Sequence, residues 1–185
     1  MKYIFNCFLI LILFIALTER IEAIETQLIP IPTAAIYPVP TPNPIPESDK
    51  KDKRSWIKSK YSILIDQTAQ KYGLDPQLIY ATIMTESNGN EHAYRFEPKL
   101  NDSSLGLGQI LTSTARMLGF CGNPQELYKP DVGIDLIGRY HRHMLNIYGN
   151  LSPVQLATAY NAGNPYRSAI YGHINRFNNW YFEEV

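Results

Sequence analysis

Residues 73–89 constrain the fold most, because both ends of a short helix are marked in this stretch. Asp75 is a favourable N-cap, Pro76 suits the first helical position, and Asn88 with the following glycine supplies a left-handed stop. A single acid, Glu86, lies in the last turn of this otherwise apolar helix. The helix dipole and apolar neighbours both favour its protonated form, as a general acid requires. The alternative is a solvated glutamate at a helix end.

Apolar residues recur at helical spacing along most of the remaining domain. We expect Asp131 to cap the longest of these helices, and Thr112 or Ser113 to cap the shortest. The predicted helices span residues 57–72, 113–118, 131–148, 152–160 and 170–181.

No alternating pattern of apolar and polar residues indicates a strand, and the polar segment 88–104 is expected to be a long, turn-rich loop. Residues 55–185 are therefore predicted to form one compact, mainly α domain, which is large enough to bury a core.

The chain before this domain has the composition of a targeting segment and a linker. A lysine precedes an apolar run, and Ile21-Glu22-Ala23 offers a cleavage site, so residues 1–23 are expected to be an export signal peptide. An uncleaved anchor is the alternative, although the run is short for a spanning helix. Prolines recur in residues 24–54, which end in a charged stretch, and we expect an extended, disordered spacer there.

Charge and ligand-forming residues exclude several classes of function. The 17 basic and 17 acidic residues balance, with no basic stripe, so no nucleic-acid partner is expected. His141 and His143 are two apart and do not share a helix face, so we expect no metal site and no cofactor. Cleavage of the signal leaves Cys121 as the one cysteine, for which a buried packing role in a monomer is expected.

Three short segments carry groups suited to one chemistry. Glu86 and Ser87 end their helix. Residues 106–110, Gly-Leu-Gly-Gln-Ile, combine glycines that let the backbone approach a ligand with the amide of Gln109. Residues 159–163, Ala-Tyr-Asn-Ala-Gly, place Tyr160 and Asn161 at a helix break. Each segment alone is a weak signal, but their order and spacing make a chance combination improbable.

In this order the motifs closely resemble the lytic transglycosylases of the soluble-lytic-transglycosylase (SLT) type, in the lysozyme-like superfamily. The resemblance covers residues 55–181 and implies a lysozyme-like fold. It implies cleavage of the β-1,4 bond between N-acetylmuramic acid and N-acetylglucosamine in peptidoglycan, with a 1,6-anhydro product. It also implies that one carboxyl, Glu86, serves as both general acid and general base.

The resemblance assigns a role to each matching side chain. Ser87 would position the sugar beside the acid, Gln109 and Asn161 would hydrogen-bond the glycan, and Tyr160 would orient the acid or the substrate. The main departure is Gly108, where the family usually has methionine, and its small size is expected to widen the cleft.

Two questions stay open in the sequence. The family's last motif has a tyrosine at the start of the final helix, for which Tyr171 is the first candidate and His173 the alternative in a shifted register. Glu97 or Asp102 would serve as a second carboxylate in a lysozyme-type hydrolase, although a hydrated loop is the expected setting of both. A non-catalytic, exported glycan-binding or scaffold protein is a third reading, against which the intact motifs argue.

Export and the implied substrate predict a periplasmic or envelope-associated bacterial protein whose partner is the peptidoglycan glycan strand. Enzymes of this type serve cell-wall turnover or open gaps for secretion or conjugation machines, and the sequence does not choose between these roles.

Overall fold

The computed structural model describes residues 47–168 and 170–182, with side chains from Arg54 onward. The predicted signal peptide and most of the predicted spacer lie outside these residues. The helices are α1 Glu47–Tyr72, α2 Pro76–Ser87, α3 Thr112–Met117, a 3-10 helix Pro124–Tyr128, α4 Pro130–Tyr148, α5 Pro153–Ala162 and α6 Tyr171–Tyr181. The strands are β1 Tyr94–Glu97, β2 Asp102–Leu105 and β3 Ile110–Leu111. The mainly α class is confirmed.

Helix α1 begins at Glu47, before the expected start of folded structure near Ser55. The charged stretch that opens it contains glutamate, lysine and arginine, which are good helix formers, so nothing in its composition prevents the helix from extending there. The helix ends at Tyr72, before the left-handed Gly73, as predicted.

Helix α2 is the centre of the fold and has the predicted ends. The Asp75 carboxylate accepts a hydrogen bond of 2.9 Å from the Gln77 backbone N–H, and Asn88 is left-handed at φ 52°. Every residue from position 78 to position 85 is buried, because α2 packs against α1, α4 and α6. Glu86 directly follows this buried run, so it lies where the core meets the surface.

A small antiparallel sheet in the order β1-β2-β3 occupies the segment that was expected to be a loop. Tyr94 of β1 is opposite Leu105 of β2, which in turn is opposite Ile110 of β3. The prediction of no strands is wrong. Strands of four, four and two residues are too short for an alternating pattern to register, and backbone pairing holds them together.

The predicted caps of α3 and α4 are also wrong. Neither helix has a side-chain cap hydrogen bond, and the cap residues are Leu111 and Lys129. The backbone N–H of Ser113 at the start of α3 instead donates 2.9 Å to the carboxylate of Asp102 on β2. Asp131 lies in the first turn of α4, where its charge matches the positive end of the helix dipole.

Helices α5 and α6 complete the domain. Helix α5 begins after Ser152 and ends at the left-handed Gly163, as predicted, and a capping box between Ser152 and Gln155 opens it. Phe177 of α6 is almost fully buried against residues of α2, α4 and α5. Cys121 is exposed in the loop after α3, so the expected packing role is wrong: the neighbouring Phe120, and not Cys121, packs against the core. Within the described residues, no helix is both long and apolar enough to cross a bilayer.

Candidate active site

A cleft of about 630 Å³ opens between the sheet, the end of α2 and the start of α6. It brings together four of the predicted site residues, Glu86, Gln109, Tyr160 and Asn161. Its walls also include Thr85, Arg95, Glu97, Ser104, Tyr140, His173 and Arg176. A second depression of about 370 Å³, lined by Phe120, Cys121, Asp131 and Arg139 among others, contains none of the motif residues.

Glu86 reaches the cleft from the last turn of α2, and 16% of its side chain is exposed. Its Oε1 atom lies 2.8 Å from Nε2 of His173, a side chain that is almost fully buried. Among the described residues, no donor hydrogen-bonds the second carboxyl oxygen, Oε2, which is therefore free to contact a ligand in the cleft.

Tyr160 supports the cleft from behind Glu86. Its hydroxyl donates a hydrogen bond of 2.8 Å to the Gly108 carbonyl, and its ring contacts those of Tyr140 and His141 at centroid distances of 4.9 and 5.2 Å. Burial, reinforced by the nearby Glu86 charge, raises the pKa of the Tyr160 phenol well above its ordinary value. The phenol therefore stays protonated and keeps donating to the loop.

Gln109 holds the turn that precedes β3. Its side-chain amide donates to the carbonyls of Ala93 (3.0 Å) and Gly106 (3.1 Å), and its oxygen accepts from the Ser104 hydroxyl at 3.2 Å. Gly106 has φ 69°, and a Cβ there would overlap the Leu127 carbonyl oxygen, so only glycine fits. Both amide donors of Gln109 are thus used within the protein, and its role in this structure is to shape the wall.

The surroundings of Gly108 explain why glycine stands where the family usually has methionine. A Cβ at this position would lie 2.8 Å from Cγ1 of Ile137 and 2.8 Å from the Tyr160 hydroxyl. The space is already filled by those two side chains, and Gly108 does not line the cleft. The expectation that the small residue widens the cleft is therefore wrong.

Asn161 and Ser87 differ in availability. Asn161 is exposed in the cleft wall, and its side-chain amide makes no hydrogen bond to any described residue. The Ser87 hydroxyl donates back to the Ile83 carbonyl at 3.1 Å, and Ser87 is not among the cleft-lining residues. Asn161 can bind a ligand directly, whereas Ser87 acts on the last turn of the helix that carries Glu86.

The last helix places His173, and not Tyr171, against Glu86. Tyr171 is 79% exposed and lies outside the lining of the cleft, while His173 is 5% exposed and lines it. The rotation of α6 that buries Phe177 also turns His173 inward, because positions four apart share a helix face. Arg176 lies one turn after His173 and also lines the cleft. The same helical spacing could therefore have identified it as a site residue from the sequence.

The two other candidate carboxylates have different surroundings. Glu97, at the end of β1, lines the cleft and pairs with Arg95 at 2.8 Å. Asp102 does not line it. Partial burial alone would raise the pKa of Asp102, but hydrogen bonds from Ser113, Ser103 and Thr112 together lower it. The hydrated-loop expectation is wrong for both, because each lies on a strand and has a structural partner.

His141 is fully buried in the core, where burial lowers its pKa to about 3. Its Nε2 atom lies 3.0 Å from the Thr82 hydroxyl, which itself donates to the Leu78 carbonyl, so the ring is neutral and donates to Thr82. Within the described part of the chain, no group of three His, Cys, Asp or Glu side chains is placed to hold a metal ion.

The chain is similar in sequence to known proteins. Membrane-bound lytic murein transglycosylase C of Yersinia enterocolitica is 35% identical over 115 residues, which are 58% of this chain but only 29% of that protein. An inactive mutant of the lytic transglycosylase Slt from Pseudomonas aeruginosa is a solved structure with a TM-score of 0.48 and 23% identity, covering 65% of this chain and 20% of that one. The family model described as Transglycosylase SLT domain matches residues 63–171, more than half of the 185 residues. The chain therefore belongs to the transglycosylase SLT domain family.

Proposed function

We propose that this protein is a peptidoglycan lytic transglycosylase that cleaves the β-1,4 bond between N-acetylmuramic acid and N-acetylglucosamine. The observation that carries the proposal is the setting of Glu86, at the end of a buried helix with one oxygen held by His173 and the other free in the cleft. Membership of the family supports the reaction type. The chain spans 29% of the length of the Yersinia relative. The name of that relative therefore does not by itself assign an activity to this chain.

Glu86 supplies both proton transfers of the reaction. The protonated carboxyl gives its proton to the glycosidic oxygen as the bond from that oxygen to C1 of the muramoyl sugar breaks, through an oxocarbenium-like transition state. The C6 hydroxyl of the same sugar then attacks C1, and the Glu86 carboxylate accepts the hydroxyl proton. The acid is regenerated, the anhydro bridge forms, and no water is consumed.

The remaining site residues hold the sugar and the walls. Asn161 has an unused amide in the cleft and would hydrogen-bond the glycan's acetamido or hydroxyl groups. Gln109 and Tyr160 would act through the loop that they hold, and Ser87 through the last turn of α2. Tyr171, which is highly exposed, would contact substrate only beyond the cleft.

A lysozyme-type hydrolase is the second candidate, because one further carboxylate, Glu97, lines the same cleft. A hydrolase needs such a group to activate water or to act as nucleophile. The ion pair with Arg95 argues against either role, since it engages Oε1 of Glu97 at 2.8 Å.

Product analysis tests the proposal directly. Purified protein is incubated with bacterial sacculi, and the released muropeptides are identified by mass spectrometry. Muropeptides that end in the anhydro sugar, each lighter by one water than the hydrolysed form, are expected. Reducing-end muropeptides as the main product would favour the hydrolase, and the absence of soluble product would favour a non-catalytic glycan-binding protein.

The cell envelope of a bacterium is the proposed location. The predicted export signal and the implied substrate support it, and the Yersinia relative is named as membrane-bound. A monomer bound to glycan strands is the simplest working form. A role beside an envelope-spanning secretion or conjugation machine is a further proposal, testable by deleting the gene and comparing secretion with growth and sacculus composition.

A further inference from the structure

The contact between Glu86 and His173 joins two helix ends across the floor of the cleft. Glu86 is in the last turn of α2, His173 is in the first turn of α6, and Nε2 lies 2.8 Å from Oε1. Both side chains are poorly exposed, at 16% and 6%. The two helices pack closely along their length, so neither partner can move away without disturbing the core.

The opposite edge of the ring shows which nitrogen carries the proton. Nδ1 of His173 is buried and has no hydrogen-bond partner among the described residues. A proton on Nδ1 would create a buried N–H without an acceptor, and unpaired buried N–H groups are rarer in proteins than under-satisfied acceptors. The favoured form is therefore the neutral tautomer with its proton on Nε2, which donates to Oε1 of Glu86.

Charged and titratable groups from several elements line the cleft beside the pair. The titratable or charged groups that line the same cleft are Arg95 and Glu97 of β1, Tyr140 of α4, Tyr160 of α5 and Arg176 of α6. Glu97 is paired with Arg95, and Arg176, one turn from His173, contributes a positive charge without a partner among the described residues. The charged group closest to the ring is Glu86 itself, at 2.8 Å, so the position of the ring proton is assigned from the unpartnered Nδ1.

We propose that His173 is a positioning residue for the reaction: its Nε2–H holds Oε1 of Glu86, so that the transferable proton is carried by Oε2. This inference rests on the proposed function. A donor on Oε1 makes that oxygen the carbonyl-like acceptor of the protonated carboxyl. Oε2 then bears the O–H and faces the cleft, and His173 keeps its own proton through both halves of the reaction.

The first test compares two substitutions. His173→Leu removes the donor, so the Glu86 carboxyl is no longer held in position. We expect kcat on soluble glycan strands to fall about 10²-fold with KM nearly unchanged. His173→Gln retains an amide N–H with similar reach and should recover most of kcat. His143→Gln, a matched histidine outside the cleft, should behave as wild type, and thermal melting checks that each variant folds.

The pH profile separates positioning from proton sharing. Because His173 donates its Nε2–H without transferring it, His173→Gln should keep both limbs of the kcat/KM profile where the wild type has them. Loss of a limb would show that His173 itself carries a catalytic proton and would overturn the inference. Equal losses in the leucine and glutamine variants, with both folded, would overturn it as well.

A spectroscopic measurement is independent of turnover. In protein with ¹⁵N-labelled histidine, the ring shifts of His173 at neutral pH should report a protonated Nε2 and a bare Nδ1, assigned by comparison with His173→Gln. An Nδ1–H tautomer or an imidazolium would contradict the inference. This result decides which nitrogen donates even if wild-type protein releases no anhydro product, an outcome that would count against the proposed function only.

Discussion

The hydroxyl of Tyr160 donates a hydrogen bond of 2.8 Å to the carbonyl oxygen of Gly108, and this bond ties the last turns of α5 to the loop before β3. The two motifs that these residues represent are far apart in the chain and meet behind Glu86. Because the phenol remains protonated, the hydrogen bond persists across the pH range in which the protein would work.

Because of this hydrogen bond, Gly108 has no room even for the methyl group of an alanine. Gly108→Ala would bring a methyl group to 2.8 Å from both Ile137 and the Tyr160 hydroxyl, so one of them must shift. We expect a loss of about 1–3 kcal/mol in unfolding free energy, together with reduced activity. Urea denaturation measures the first and product release from sacculi the second.

Gly172→Ala is the matched control for that substitution. A Cβ at Gly172 has no neighbour within 4 Å, and the residue is in the first turn of α6. Alanine there should leave stability unchanged or slightly raised. Equal losses for the two alanine variants would show that the contact behind Gly108 is not responsible.

Glu86→Gln should abolish turnover and preserve the fold. The amide oxygen can still accept from His173, but the amide cannot deliver a proton, and general acid–base catalysis supplies about 10²–10⁴-fold in rate. Product release from sacculi measures the loss, and a sacculus pull-down should show retained glycan binding. A variant that keeps most of its activity would show that another group is the acid.

Glu97→Gln distinguishes the two candidate reactions. In a transglycosylase the substrate's own C6 hydroxyl attacks, so we expect only a modest change in rate and the same anhydro product. The charge lost at Glu97 belongs to an exposed pair with Arg95, and such pairs contribute little to stability. A severe rate loss together with a hydrolysed product in the wild type would establish a hydrolase.

Asp102→Asn should affect stability more than catalysis. The carboxylate accepts from the backbone N–H groups of Ser103 (2.7 Å) and Ser113 (2.9 Å), and its lowered pKa shows that the fold favours the ionised form. We expect a loss of about 1–2 kcal/mol, similar to that of a helix cap. The rate per folded molecule should be nearly unchanged, as judged from activity normalised by circular dichroism.

His141 should make the domain less stable in acid. Its pKa is about 3 in the fold and 6.5 ordinarily, so between these values the unfolded chain binds a proton that the folded chain does not. Stability attributable to this group falls as pH decreases from 6.5 toward 3, with a limiting slope of about 1.4 kcal/mol per pH unit. Urea titrations at several pH values measure the slope.

His141→Gln isolates that contribution. Its amide can still donate to Thr82 but does not titrate, so the difference in slope between wild type and variant belongs to His141. His143→Gln on the same helix serves as the control and should retain the wild-type slope. An unchanged slope in His141→Gln would mean that this histidine is already charged in the folded protein.

Local chemistry in the sequence predicted the ends of α2 and of α5. Asp75, Asn88 and Ser152 act on backbone groups within a few residues, so their effect does not depend on the rest of the fold. The order of the three motifs indicated that Glu86, Gln109 and Asn161 meet in one cleft, and the structure brings them together there.

Tertiary structure decided what depends on residues distant in the chain. The sheet formed from strands too short to show a period, and the start of α3 is held by Asp102 from another strand. His173 faces Glu86, and Tyr171 does not, because burial of Phe177 determines the rotation of α6. Sequence spacing lists the side chains on each helix face, but only packing against other helices selects the face that turns toward the cleft.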